Sequence, residues 1–379
     1  MSERRQTEVA VVGAGIVGCS AALHLRRRNV PVVVLDKDFV GAQASGVNFG
    51  GVRQQGRDLA ELPLARRARG MWERLEEVVG TDCEFRVTGH LKLAQTEEEL
   101  AELERYAEQT KAYGLELEVL DRKALKHCFP WFGDAVAGAS WCAEDGQADP
   151  RLAGPAFGRA ARAAGAEIRE GAEVTELDRD ADGFTLLTRN GLEVRARRLV
   201  NTAGAWAGGI AARFGEPVPV EATAPQMAVS EPGPYFIGPV LGISGGAIYL
   251  RQTLRGNVIF GGGLGLADAE ASRSYVLPEN TLAVTRLAVT LIPRLRSLHI
   301  IRVWTGLEGS MPDGLPVIGP SRTTPGLYHA FGFSGHGFQL GPAVGAVLAE
   351  LIVDGATDTP MGAFDIARFA RPSGGAGKG

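Results

Sequence analysis

The chain has 379 residues, 45% apolar and 22% charged, the balance of a water-soluble globular protein with room for about two or three domains. Its net charge of −4, with mixed signs and no extended basic tract, argues against nucleic acid as a partner. Four cysteines show no CxxC pairing and no metal-ligand spacing, which reads as buried free thiols in a reducing compartment and no metal site.

The N-terminal MSERRQTE leads straight into an apolar strand, with no signal-like region and no stretch long enough to span a bilayer. A cytoplasmic protein is expected, with peripheral attachment to the inner face of a membrane left open. Val9 to Asp36 then reads VAVVGAGIVGCSAALHLRRRNVPVVVLD, a strand, a glycine turn, a helix and a second strand closed by an acid. Gly13 makes the tight turn, Gly15 lacks a Cβ so that a pyrophosphate can approach the helix N-terminus, and Gly18 lets helix and strand pack closely. Asp36 follows Gly13 by 23 residues, where its carboxylate accepts hydrogen bonds from ribose hydroxyls and repels a 2′-phosphate. An unphosphorylated adenosine ribose follows, as in NAD or FAD.

Gly41 to Arg57 is loop-like, Leu59 to Val79 has helical spacing, Phe85 to Leu93 reads as strands, and Glu97 to Tyr113 is a charged amphipathic helix. Arg151 to Ala164 is a further helix. Ala172 to Leu177, Phe184 to Thr188 and Leu192 to Val200 are strands, with Asn190-Gly191 marking a hairpin between the last two. The chain passes through NTAGAW into Ala205 to Phe214. Pro217 to Ile301 has short β-like runs, as in an antiparallel sheet. Near the end come a strand from Leu327 to Ala330, a glycine loop and a helix from about Gln339. This order predicts two interleaved domains: 1–80, 146–215 and 306–379 bind the nucleotide, while 81–145 and 216–305 form a β-rich substrate domain, with a cleft between them.

Several separated stretches now point the same way: VVGAGIVG with Asp36, ASGVNFGG, NTAGAW, PDGLPVIG and GFSGHGFQLGPAVG. In these the chain resembles the FAD-dependent D-amino-acid-oxidase-like superfamily, which includes glycine oxidase, sarcosine oxidase and several amino-acid or imino-acid dehydrogenases. The resemblance implies an α/β fold, a Rossmann-like FAD-binding domain interleaved with a β-rich antiparallel substrate domain. It makes the dinucleotide FAD. It places Gly13, Ala14, Gly15, Ile16, Val17 and Gly18 around the pyrophosphate and Asp36 and Lys37 near the adenosine ribose. Ala44, Ser45, Asn48, Phe49 and Gly50 would line the path to the flavin, and Ala203 and Gly204 would abut the cofactor. Val174 matches the adenine-recognition position, although it also reads as an ordinary strand valine. Gly332, Phe333, Ser334, Gly335, His336, Gly337, Phe338 and Gln339 precede or open a helix whose positive end would face the flavin. Relatives that bind flavin covalently do so through a cysteine near the segment here reading EGSMPDG. Ser310 and Met311 stand there, so the FAD is expected to be non-covalent.

The chemistry implied is oxidation of a C–N bond, with hydride passing from the α-carbon to flavin N5 and the imine hydrolysing. Such a step needs position more than a strong base. His336 is the only histidine inside a cofactor motif; it is either an active-site group or a loop histidine fixed by backbone bonds. A substrate carboxylate calls for an arginine. Glycine-oxidase-like proteins carry arginines where Glu308 and Gly335 stand here, which leaves Arg53, Arg251 and Arg302 as candidates, each also readable as structural, with Tyr249 as a hydroxyl donor. Glu308 facing the substrate would favour a cationic group, as in a basic amino acid, an opine or a polyamine; turned away, it would meet solvent or Arg302. The loop NFGGVRQQ is similar to the β-subunits of sarcosine oxidase and of dye-linked proline dehydrogenases, which favours secondary amino acids such as sarcosine or proline beside D-amino acids. Oxygen, a quinone or a partner protein would accept the electrons. The alternative reading is the flavoprotein subunit of a multi-chain amine or opine dehydrogenase, within a homo- or hetero-oligomer.

Overall fold

The computed structural model describes residues 3–370; residues 1–2 and 371–379 of the expected nucleotide domain lie outside the described residues. Its first sheet is built on the strand Arg4–Val12, which pairs in parallel with Val32–Leu35 on one side and Glu193–Asn201 on the other. Glu167–Arg169 extends one edge, and the antiparallel strands Val174–Asp180 and Gly183–Thr188 extend the other. Leu327–Phe331 returns from late in the chain to pair in parallel with Leu199 to Asn201, and Val317–Pro320 lies antiparallel beside it. Parallel strands are buried on both faces, and the sequence shows it: Val9, Ala10 and Val11 are all fully buried. Val9 and Val11 meet the helices Ile16–Arg27, Pro150–Ala163 and Gly337–Val353, while Ala10 joins Phe184, Leu186 and Leu199 on the opposite face.

The helices Ile16–Arg27 and Gly337–Val353 cross on small residues. A Cβ on Gly341 would lie 2.7 Å from Ile16 Cγ2, and one on Gly345 would overlap the Ser20 side chain and lie 2.5 Å from the Ala21 nitrogen. Gly345→Ala is therefore expected to cost about 1–3 kcal/mol by overpacking, read as a lower denaturation midpoint at unchanged cooperativity.

The second sheet runs, in spatial order, Ile300–Thr305, Pro225–Pro232, Asn257–Leu264, Tyr249–Gln252, Val240–Ile243, His90–Ala94, Gly138–Cys142 and Glu118–Asp121. It is antiparallel except where Val240–Ile243 meets His90–Ala94 in parallel, the seam at which two separate excursions of the chain join. The stretch from Pro217 to Ile301, expected to hold short β-like runs, also contains the helix Pro278–Leu291. Val284, Ala288 and Leu291, spaced four and three apart, bury it against this sheet. Expected helix Leu59 to Val79 is broken at Arg74 into Leu62–Glu73 and Leu75–Val79. Three cysteines are buried as expected, but Cys128 is exposed on its short helix.

Candidate active site

Where the strands Arg4–Val12, Glu193–Asn201 and Leu327–Phe331 end, a cavity of about 1360 Å³ runs from the glycine turn to the second sheet. That exceeds the roughly 300–1,000 Å³ of an ordinary small-molecule site and suits a dinucleotide plus a small second ligand.

At the nucleotide end Gly13 has φ +106°, and a Cβ there would overlap the Thr202 carbonyl oxygen. A Cβ on Gly15 would crowd the Ser45 hydroxyl at 2.9 Å, the same hydroxyl that accepts the Ile16 N–H at 2.9 Å. Gly18 stands behind the wall, where only hydrogen fits against Gly13 and Thr202. Asp36 lines the cavity and steadies the turn: Oδ2 accepts the N–H of buried Ala14 at 2.6 Å and Oδ1 that of Asp38 at 2.8 Å. Burial pushes this carboxyl up, and the two N–H donors draw it back. Each oxygen keeps a lone pair for a ribose hydroxyl. The Lys37 ammonium lies 3.1 Å over the Trp206 ring and donates to Ser272 at 2.6 Å. Val17, Val174, Ala203 and Gly204 complete this end.

Midway, Ala44, Ser45, Asn48, Phe49 and Gly50 line the wall. Asn48 locks the loop, donating to the Ala44 and Ser45 carbonyls and accepting the Gly50 N–H. At the far end Gly332, Phe333, Ser334, Gly335, His336, Gly337 and Phe338 face the cavity at the start of the helix Gly337–Val353, whose first N–H groups have no intrahelical partner. Ser334 holds φ +50° because its hydroxyl accepts the Met311 N–H at 3.0 Å. Gln339 lies behind this loop, donating to the Ala65 carbonyl and accepting from Arg57.

Of the expected substrate residues, Arg53, Tyr249, Glu308 and His336 line the cavity; Arg251 and Arg302 do not. Arg251 donates to the Phe49 carbonyl at 2.7 Å and to Gln147 at 2.8 Å, with its guanidinium 5.6 Å from the Phe49 ring. It braces the loop through these bonds, while Tyr249 packs on Phe49 with tilted rings, centroids 4.8 Å apart. Arg302 is exposed on the edge strand, so the pairing with Glu308 is not formed. Glu308 instead turns into the cavity beside the Gly335 N–H, and burial lifts its carboxyl to about 7. Burial, with Glu308 nearby, likewise pushes the Tyr249 phenol upward.

His336 is fixed by a side chain rather than by backbone bonds. Its Nδ1 lies 2.9 and 3.1 Å from the oxygens of wholly buried Glu61. Burial and the Arg57 charge lower the imidazole to about 4 against the pull of Glu61. Burial alone would raise the Glu61 carboxyl, yet the His336 bond and charge hold it below its usual value. At neutral pH, therefore, Nδ1–H donates to the Glu61 carboxylate and Nε2 is left as an acceptor.

Sequence reasoning missed Arg57, His90 and Lys92, all in the cavity wall. A signal for two of them exists: in HLKLA the polar residues alternate with leucines, which puts His90 and Lys92 on one face of a strand.

A glycine-turn cradle at the ends of parallel strands, opening into a chamber lined by Glu308, His336 and Tyr249, marks an enzyme of the nucleotide-binding α/β class. The chain belongs to the family described as FAD dependent oxidoreductase, which matches residues 8–351. The L-proline dehydrogenase of P. horikoshii is similar in structure, with a TM-score of 0.89 at 32% identity over 97% of this chain and 98% of that one. A glycine oxidase of Geobacillus kaustophilus is 29% identical over 375 residues, 96% of each chain. One subunit of the opine oxidase of Rhizobium meliloti is 28% identical over 376 residues, 96% of this chain and 98% of that protein. The chain is an FAD-dependent amine or amino-acid oxidoreductase. Its cradle fits the cofactor, because Gly13 and Gly15 bring bare backbone to the cavity wall at the N-terminus of Ile16–Arg27 and Asp36 lines the same end. Among the described residues no helix is long and apolar enough to cross a membrane.

Proposed function

We propose that this enzyme oxidises the C–N bond of a small amino acid, with secondary amino acids such as proline or sarcosine ahead of D-amino acids. The observation that carries this reading is the chamber beyond the cradle. Glu308 and His336 offer two acceptors in the wall, and Met227, Leu241, Ile243 and Ile248 supply an apolar side. The similarity to an L-proline dehydrogenase points the same way.

Bound FAD supplies the acceptor for the hydride that leaves the α-carbon. The chain's residues do the rest. The free N–H groups at the start of Gly337–Val353 and their helix dipole favour the negative charge that reduction brings. Glu308, ionising near neutrality, accepts a hydrogen bond or proton from the substrate ammonium, since only a neutral amine gives up hydride readily. The Glu61–His336 pair keeps an unprotonated Nε2 in the chamber. On this reading residues 1–80, 146–215 and 306–379 hold the cofactor, 81–145 and 216–305 hold the substrate, and the enzyme works in the cytoplasm.

Anaerobic mixing of the yellow holoprotein with L-proline, sarcosine, glycine, D-amino acids, opines and polyamines tests the reading. Bleaching of the flavin band by a cyclic or N-methyl amino acid is expected; bleaching only by compounds outside the amine class would overturn it. Slow reoxidation in air would mark a dehydrogenase using a quinone or protein acceptor. The flavin is expected to be non-covalent, because none of the four cysteines lines the cavity. Acid precipitation should leave a colourless pellet and a yellow supernatant.

A second reading, the flavoprotein subunit of a multi-chain dehydrogenase, draws on the similarity to one subunit of an opine oxidase. Co-purification of smaller chains from the native source, with bleaching only in their presence, would favour it.

A further inference from the structure

The second sheet sends one arm across to the nucleotide end of the cavity. Asn257–Leu264 runs past Gly263, at φ +68°, into a hairpin of its own, in which Leu266–Asp268 pairs antiparallel with Arg273–Tyr275. The stem of this hairpin is anchored. The Gly265 N–H donates to the Ala224 carbonyl at 2.7 Å, and the Asn280 amide donates to the Leu264 carbonyl. The two legs approach so closely there that a Cβ on Gly265 would overlap the Tyr275 carbonyl oxygen. Beyond the stem there is no core: none of residues 264–275 is buried, and Leu266 and Tyr275 are exposed. A segment held by so little apolar packing opens far more readily than the sheet that carries it.

The turn of the hairpin reaches the cavity, where Ala269, Glu270 and Ser272 form part of the wall. Two bonds fasten it to the nucleotide half. The Lys37 ammonium donates to the Ser272 hydroxyl at 2.6 Å, and the Trp206 indole N–H donates to the Ala269 carbonyl at 2.8 Å. Lys37 also lies 3.1 Å over the Trp206 ring, so the two fasteners brace each other. Lys37 directly follows Asp36, which puts the turn at the end of the cavity that holds the adenosine ribose. Within the turn, Ser272 keeps φ +54° with its N–H on the Ala269 carbonyl at 3.3 Å, and Asp268 accepts the Ala271 N–H at 2.9 Å. These internal bonds hold the turn's shape, so release of the two fasteners frees the hairpin as a unit. Every partner in the latch is a protein group, and closing it needs no ligand.

We propose that residues 266–275 form a strap over the adenosine end of the FAD cavity, latched by Lys37 and Trp206, and that the cofactor enters and leaves there when the strap swings out on its stem. The proposal depends on FAD as the cofactor and is independent of which amine is oxidised. The opposite end is poorly suited to passage, because Leu241, Ile243 and Ile248 are packed into the core of the second sheet and Arg57 and His90 are buried. A hinge needs only a few residues that absorb the rotation, and the stem from Gly263 to Gly265 supplies them.

Flavin exchange tests the strap. Release is read from the rise of free-flavin fluorescence when the holoprotein is diluted, and uptake from its quenching when FAD is mixed with protein stripped of flavin. A gate governs passage in both directions. Ser272→Ala removes the acceptor of Lys37 and should speed release and uptake alike by about 10-fold, the loss of one charge-assisted bond. Trp206→Phe keeps a ring under Lys37 and loses only the N–H, so about 5-fold in both rates is expected. Replacing residues 266–275 by two glycines, a gap that the pairing of Leu266 with Tyr275 makes short, should exceed either. Lys37 itself is left intact because it also faces Asp38, Glu173 and Asp36. Neither point substitution alters a buried residue, so urea midpoints should match the parent, and these two variants decide the matter if the shortened chain fails to fold. Trypsin cleavage after exposed Arg273 should quicken in step with exchange. Unchanged rates in both point variants would overturn the proposal and place exchange elsewhere, as at the exposed Gly245–Gly246 turn beside the chamber. Faster release with unchanged uptake, or faster exchange with cleavage at the parent rate, would overturn it as well, since the strap would then be a contact and not a gate.

Discussion

Gly13→Ala is expected to yield protein that purifies without flavin and unfolds well below the parent. At φ +106° any side chain is strained, and here the new methyl would overlap the Thr202 carbonyl oxygen and lie 2.8 Å from its carbon and 3.2 Å from Ala203 Cα. All three are backbone atoms of the segment that leaves Glu193–Asn201, so none can swing aside as a rotamer would. Relief requires parting Val12 from Asn201, the last rung between the first strand and its neighbour. A loss of about 3 kcal/mol or more is expected, at the upper end for single substitutions. The ratio of flavin to protein absorbance after purification and the urea midpoint give the two readouts. Gly15→Ala provides the contrast: its methyl meets only the Ser45 hydroxyl. That variant should fold nearly as well and lose FAD affinity alone. Equal stability of Gly13→Ala and the parent would show that the turn tolerates a side chain.

Glu308→Gln is expected to change both the stability profile and the substrate profile. In the folded protein the carboxyl holds its proton up to about 7, against an ordinary value of 4.5. Between those values the folded state binds more protons than the unfolded one, so stability falls as pH rises. The stabilisation is complete below about 4.5 and lost as pH passes about 7, a difference of up to about 3 kcal/mol. Glutamine cannot ionise, so the variant should match the parent at pH 4 and exceed it at pH 8. Substrate binding should respond oppositely. Ionised Glu308 attracts an ammonium, so affinity for basic amino acids should strengthen through pH 7 in the parent and stay flat in the variant. Parallel slopes in both proteins would remove Glu308 from the chamber's electrostatics.

Much of the nucleotide half was legible because its requirements are local. Gly13, Gly15 and Gly18 are spaced by one turn's geometry, and Asp36 ends the second strand of the same unit, so a 28-residue reading suffices. Glu308, Tyr249 and His336 were reachable because each lies in or beside a short motif. Arg251 shows the limit: alternation gives the face of a strand, shared with Tyr249, but not that the guanidinium is taken up by the Phe49 carbonyl and Gln147. Arg57 and Lys92 were hidden for another reason. They meet only when a loop of the nucleotide half folds over a strand of the other sheet, a contact that no window of sequence contains. The helix Pro278–Leu291 escaped because Thr281, Val284, Thr285, Val289 and Thr290 give it the β-branched composition of a strand.

Pairing of Leu327–Phe331 with Glu193–Asn201 also sets a schedule for biosynthesis. During translation the first two hundred residues can gather the early strands and helices, but the end of Glu193–Asn201, from Leu199 to Asn201, stays without its far neighbour until more than a hundred further residues have emerged. That nascent chain presents a short unpaired strand edge, the kind of surface that chaperones cover and that associates wrongly at high expression rates. The loop from Gly332 to Gly337 that lines the cavity emerges later still, at the start of the helix that crosses Ile16–Arg27. Cofactor capture is thereby tied to the closing stages of synthesis, and the yellow colour of a preparation reports how much of it has completed the fold.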